Sequence, residues 1–135
     1  VAGVVLANSE RLLARFGAVP LFAAAVAVGV PRFAITAVTT DPVLLVATQA
    51  LHGINFGAFW LGGTTVFAER APDSLRSTTQ ALLPAAAFGA GPVIGLGLAT
   101  ALLARFDTGM VFAVASATSA VATLGLLGWL RGRRG

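Results

Sequence analysis

The sequence predicts an all-α fold, a polytopic membrane helix bundle with four full transmembrane helices and the end of a fifth. Three observations carry this. The 135 residues are 57% hydrophobic and 10% charged, with a mean hydropathy of +0.89, against roughly 25% charged residues in an average soluble domain. Apolar runs lie at 18–39, 43–68, 78–104 and 110–130, each at or above the ~20 residues that cross a ~30 Å hydrocarbon core at ~1.5 Å per residue. None of them alternates polar and apolar with the period of two that membrane barrel strands show.

The opening stretch VAGVVLAN, residues 1–8, reads as the tail of another apolar segment, since eight residues are too few to span a bilayer. The chain begins with Val, and no basic start, apolar core and small-residue cleavage site follow one another, so it does not read as a signal peptide. The expectation is that residues 1–135 are the C-terminal part of a longer membrane protein. With no cysteine, the chain has no disulfide, thiolate metal site or cysteine nucleophile.

The first span begins after Gly17 and contains Pro31, which removes a backbone donor and can kink a helix, with Arg32 beside it. Asp41-Pro42 is a short turn whose proline suits the first helical position of the second span. In that second span, at about 100° per residue, Gln49, His52, Phe56, Phe59, Trp60 and Gly63 fall in an arc of roughly 100°. Asn55 flanks the arc on one side, Gly53 and Gly57 on the other. Two readings of this face stand: a helix interface in which Gln49 and His52 satisfy each other or a neighbouring carbonyl, and a cavity lining on which polar groups converge.

A charged connector, Glu69 to Gln80, follows, with Pro72 ending one helix and Asp73 or Ser74 capping the next. The third span carries Pro84 and a glycine cluster, in which Gly91, Pro92 and Gly95 are candidates for close helix packing. Gly91 and Gly95 stand one turn apart, as do Gly53 and Gly57, giving two surfaces on which helix backbones can approach. The cluster is no nucleotide loop, because it lacks a preceding strand, a P-loop lysine and a trailing acidic residue. The fourth span holds Ser116, Thr118, Ser119 and Thr123, read as packing hydroxyls, and Trp129 as an interfacial anchor.

Nine arginines and no lysine give the net charge of +4, but they gather on no soluble face, so nucleic acid is not an expected partner. Arg11, Arg15, Arg70, Arg76, Arg131, Arg133 and Arg134 fall on one side of an up-down arrangement and Arg105 alone on the other. The positive-inside rule then places the C-terminus in the cytoplasm. Arg32 and His52 are the exceptions, ionisable groups inside apolar spans. Such groups cost roughly 2.5–3.5 kcal/mol or more at the bilayer centre unless they face protein or water, and so mark candidate functional sites.

These pieces resemble a known family. Arg15-Phe16-Gly17 entering a span with an arginine, then Gln49-Ala-Leu-His52-Gly53-Ile-Asn55-Phe56-Gly57, then Ala71-Pro72 with Leu75-Arg76 and Gln80, then Phe88-Gly89 and Gly91, is similar to the last third of a major facilitator superfamily transporter, nearest the branch of the lactose and phenylpropionate permeases. The resemblance implies that the chain is the end of helix eight and all of helices nine to twelve, with the N-terminal helices of the same transporter and the lipid bilayer as its surroundings. It implies roles for Arg32 and His52 in coupling and solute binding, and places Asn55 where a coupling carboxylate stands in the lactose permease. An amide does not exchange protons in the working pH range, so that coupling scheme does not transfer whole. Gly91-Pro92 with Gly95 is similar to a glycine-proline motif of the superfamily, and the cytoplasmic loop signature survives only as Arg15 and Gly17, with Ala14 where an aspartate is usual.

The implied function is secondary active transport of a small organic solute, a sugar or an aromatic or carboxylic acid, by alternating access and proton symport, in the cell inner membrane. Arg32 supplies a fixed positive charge, His52 a titrating or hydrogen-bonding group, and Phe56, Phe59 and Trp60 an aromatic wall, with Gln49 and Asn55 beside them. The alternative is a non-transport four-helix membrane subunit. No cofactor or metal is expected, since haem ligation by His52 lacks a second histidine. No enzymatic activity is expected either, because Glu69, Asp73 and Ser74 form a capped turn with no nucleophile or base around them.

Overall fold

Gly17, the one residue with positive φ (79°) among those described, separates a short amphipathic helix from the first span. The computed structural model of the chain describes residue 3 and residues 7–132, the last three by backbone alone. The expected helix tail at 1–8 and the basic groups of Arg131, Arg133 and Arg134 lie wholly or largely outside the described residues. The elements are α1 (Ser9–Phe16), α2 (Ala18–Val38), α3 (Pro42–Arg70), α4 (Arg76–Pro84), α5 (Gly91–Leu103) and α6 (Thr108–Gly132). A 3₁₀ turn at Asp73–Leu75 precedes α4, and a π-helical segment, Ala85–Ala90, joins α4 to α5. No strand occurs among the described residues, and four helical stretches, Ala18–Val38, Pro42–Arg70, Asp73–Leu103 and Thr108–Trp129, are long and apolar enough to cross a membrane.

Two of the turns between spans follow from side-chain caps, whereas the expected capping by Asp73 or Ser74 is not formed, Pro72 and Leu75 standing at those helix starts with no side-chain bond. Asp41 accepts from the backbone N–H of Val43 at 2.7 Å and of Leu44 at 3.3 Å, with Pro42 at the first position where no donor is needed. Asp107 caps α6 in the same way, accepting from Met110 N–H at 2.9 Å. Both connections are short, so neighbouring spans run antiparallel.

The middle of the bundle is α2, packed on α3 along one side and α6 along the other. Small residues set the distance. A Cβ built on Gly62 would lie 2.7 Å from the Phe22 backbone nitrogen and 3.0 Å from the Ala18 carbonyl oxygen, so α2 and α3 touch backbone to backbone there. At Gly63 the added atom would meet Leu83 of α4 at 2.9 Å and the Phe22 ring at 3.3 Å. On the other side, a Cβ added at Gly29 would meet Ser119 Oγ at 3.0 Å and one added at Gly109 the Ala37 carbonyl at 2.7 Å.

Two side chains add hydrogen bonds between spans. Asn55 Nδ2 donates to the Ala25 carbonyl at 2.8 Å, tying α3 to α2, and Ser116 Oγ donates to the Val30 carbonyl at 2.9 Å, tying α6 to α2. Thr118 and Thr123 donate to Val114 and Ser119, carbonyls of their own helix, as hydroxyls in membrane helices usually do. Ser116 departs from that habit and reaches across to α2.

The third span is the least regular. Pro84 and Pro92 both lack a backbone donor, and the turns between them widen so that Gly91 N–H reaches the carbonyl of Ala86, five residues back. A Cβ on Gly91 would sit 2.6 Å from that oxygen, so glycine is required by its own helix, while Gly95 has nothing within 4 Å. Neither is brought against another helix backbone among the described residues. Gly57 is buried in α3 and Gly53 half-buried.

Candidate functional site

His52 lies ten residues into α3, at ~15 Å from the start of a helix that is ~43 Å long at ~1.5 Å per residue. Its imidazole is exposed, as is Gln49 one turn before it, and no hydrogen bond joins the two. Arg32 belongs to α2. Because α2 and α3 are antiparallel, with Ala25 level with Asn55 and Phe22 level with Phe59, Arg32 comes level with the turn of Thr48 and Gln49, about one turn from the level of His52. The Arg32 guanidinium lies over the Phe33 ring at 4.6 Å, and its Nε is enclosed without a hydrogen-bond partner.

From His52 an aromatic row runs along α3. The His52 ring is 6.1 Å from Phe56, and Phe56 is 6.3 Å from Trp60 in a near-parallel arrangement of 13°. Positions 52, 56 and 60 differ by four residues, about 40° of helix rotation each, so they stack on one face. Phe88, carried by the π segment, completes a triangle at 6.3 Å from Phe56 and 5.5 Å from Trp60. Phe56 and Phe88 are both exposed.

The remaining site candidates are placed differently. Phe59 is turned away from Trp60 by about 100° and packs on Phe22 of α2 at 5.1 Å. Asn55 lies on that same side, with its amide committed to Ala25. The structure therefore brings together Arg32, His52, Phe56 and Trp60, with Gln49 at the edge, and sets Asn55 and Phe59 into the α2–α3 contact.

Phe88 is the residue that sequence reasoning missed. The third span has no polar face to single it out, but the hairpin itself is informative. A connector centred near residue 73 sets residues whose numbers sum to about 146 side by side, which puts Phe88 opposite the Phe56–Trp60 turn. Among the described residues no group of three or more His, Cys, Asp or Glu comes together that could hold a metal.

Chemically, the arrangement offers a permanent cation, a neutral-or-cationic imidazole and three rings, all inside membrane-spanning helices. A guanidinium in that position binds planar oxyanions in two-point fashion, and ring faces bind apolar or planar groups. No curated protein and no solved structure matches the chain. A family model does match, the MFS_1 like family, over residues 3–125, and the chain belongs to that family, a multi-pass membrane protein of the major facilitator superfamily of transporters.

Proposed function

We propose that the protein is a secondary transporter of a small organic solute, a sugar or an aromatic or carboxylic acid, working by alternating access with proton symport in the cell inner membrane. In this reading residues 1–135 form the C-terminal part of the transport domain, nearest the lactose and phenylpropionate permease branch. Its C-terminus is cytoplasmic, and the solute site lies between these helices and the N-terminal ones of the same protein. The observation that supports it most is the pairing of Arg32 with His52. Two groups that can carry like charge lie about one turn apart in level on adjacent apolar spans, and no hydrogen bond satisfies the enclosed Arg32 Nε. Like charges are not placed together to stabilise a bundle; an anionic group shared between them relieves the repulsion, and a carboxylate solute supplies one.

Arg32 then holds the solute's negative group, His52 gains or loses a proton as the cavity changes its exposure, and Phe56, Trp60 and Phe88 form the wall against the solute body. Gln49 contributes an amide at the edge of the same face. Asn55 and Phe59 support the site by fixing α3 on α2.

In the full-length protein, Arg32→Ala and His52→Ala are expected to abolish solute uptake while membrane insertion and folded yield are retained. Arg32→Lys is expected to restore uptake only in part, because an ammonium lacks the fork. The measurement is flux divided by folded protein. Unchanged normalised flux in both alanine variants removes these residues from the site.

A further inference from the structure

At the end of the bundle where the connector joins α3 to α4, a groove of about 320 Å³ is lined by Val66, Phe67, Arg70, Pro72, Thr79 and Trp129. Its depth in the membrane follows from helix length. Helix α3 has 29 residues and is ~43 Å long at ~1.5 Å per residue, close to the ~40–45 Å of a bilayer with its headgroup layers. Arg70, the last residue of α3, therefore stands at headgroup level, and Phe67 and Val66, three and four residues earlier, lie ~5 Å deeper where acyl chains begin.

The Arg70 guanidinium carbon is 4.6 Å from the Trp129 ring centroid. A cation–π contact of this kind does not consume the guanidinium's five N–H donors, a fork that matches a phosphate. Neither Glu69 nor Asp73 forms an ion pair with Arg70; the ion pair among the described residues joins Asp73 to Arg76, at 3.9 Å. We propose that this groove binds an anionic phospholipid, with its phosphate on Arg70 held against Trp129 and the first carbons of an acyl chain along Val66 and Phe67. A cation at headgroup level above an apolar wall matches the two halves of a lipid in their proper order, which a soluble anion does not require.

The test uses the full-length protein in detergent, stripped of lipid, and reads lipid retained per protein by native mass spectrometry during titration with phosphatidylglycerol or phosphatidylcholine. Wild type is expected to retain phosphatidylglycerol in preference. Arg70→Gln is expected to lose about tenfold in affinity for it, the equivalent of ~1.4 kcal/mol, whereas Arg105→Gln at the opposite end of the bundle changes nothing. Retention by Arg70→Gln within about twofold of wild type, or equal retention of the two lipids by wild type, overturns the proposal. Displacement of the lipid by millimolar inorganic phosphate overturns it in favour of a soluble-anion site. Should Arg70→Gln fail to fold, Arg70→Lys decides the matter: it keeps the charge but not the stacked fork, so a several-fold loss supports the proposal and unchanged retention sinks it.

Discussion

The Asn55 amide illustrates how a polar group inside a membrane helix is held by a backbone partner. Its Nδ2 donates to Ala25, a residue only 2% exposed, across the α2–α3 contact. Interhelical hydrogen bonds of this kind contribute ~0.6 kcal/mol on average and up to ~1.7. Asn55→Asp removes the donor whenever the carboxyl is ionised, and Asn55→Leu removes it altogether. Both are expected to lower thermal stability in detergent by about 1 kcal/mol and to leave uptake per folded molecule close to wild type. A variant with normal stability and no uptake would instead put Asn55 in the transport chemistry. Arg32 and His52 were readable as exceptional from the sequence because charge in an apolar run is costly wherever the helix goes. The commitment of Asn55 to Ala25 was not, because an amide thirty positions from its acceptor carries no mark of which helix it will meet.

Between elements, glycine position decides how close the helices come, and not every glycine takes part. Gly62 is the sharpest case. A methyl there would overlap the Phe22 backbone, which cannot move aside as a side-chain tip can. Gly62→Ala is expected to reduce folded yield several-fold, measured by gel filtration in detergent, whereas Gly125→Ala, with nothing within 4 Å, is expected to match wild type and to gain the ~1 kcal/mol of helix propensity that glycine forgoes. Equal yields from the two would remove the close α2–α3 contact. In the third span, Gly91→Leu is expected to harm yield more than Gly95→Leu, because Gly91 makes room for the Ala86 carbonyl inside its own helix and Gly95 faces open space. The spacing of Gly91 and Gly95 suggested a contact surface with another helix. What the spacing did not reveal is the π segment, which arises from two missing donors, Pro84 and Pro92, acting on the same few turns.

Across the whole molecule, the up-down path sets the 71–75 connector and the loop at 104–107 at opposite ends of the bundle. Residues 1–135 hold no cysteine, so one introduced here reports its own position once any cysteine elsewhere in the protein is replaced. Ser74→Cys is expected to react with a membrane-impermeant maleimide only after cells are permeabilised, and Arg105→Cys without permeabilisation. The reverse pattern would invert the orientation read from the arginine bias. That four helices are long and apolar enough to span a membrane was legible in the sequence: the expected runs at 18–39, 43–68, 78–104 and 110–130 overlap the helices Ala18–Val38, Pro42–Arg70, Asp73–Leu103 and Thr108–Trp129, because the cost of placing polar backbone in hydrocarbon leaves an apolar run little choice but helix. Which residues face one another was decided only by tertiary structure. Phe59 and Trp60 are neighbours in sequence yet belong to different surfaces, one on Phe22 and the other on Phe88. Their separation depends on which side of α3 receives α2. Hydrophobicity does not encode that, because lipid and a neighbouring helix are equally apolar; the bundle's order comes instead from the fit of small residues at Gly62, Gly63, Gly29 and Gly109, which shows only when the helices are placed together.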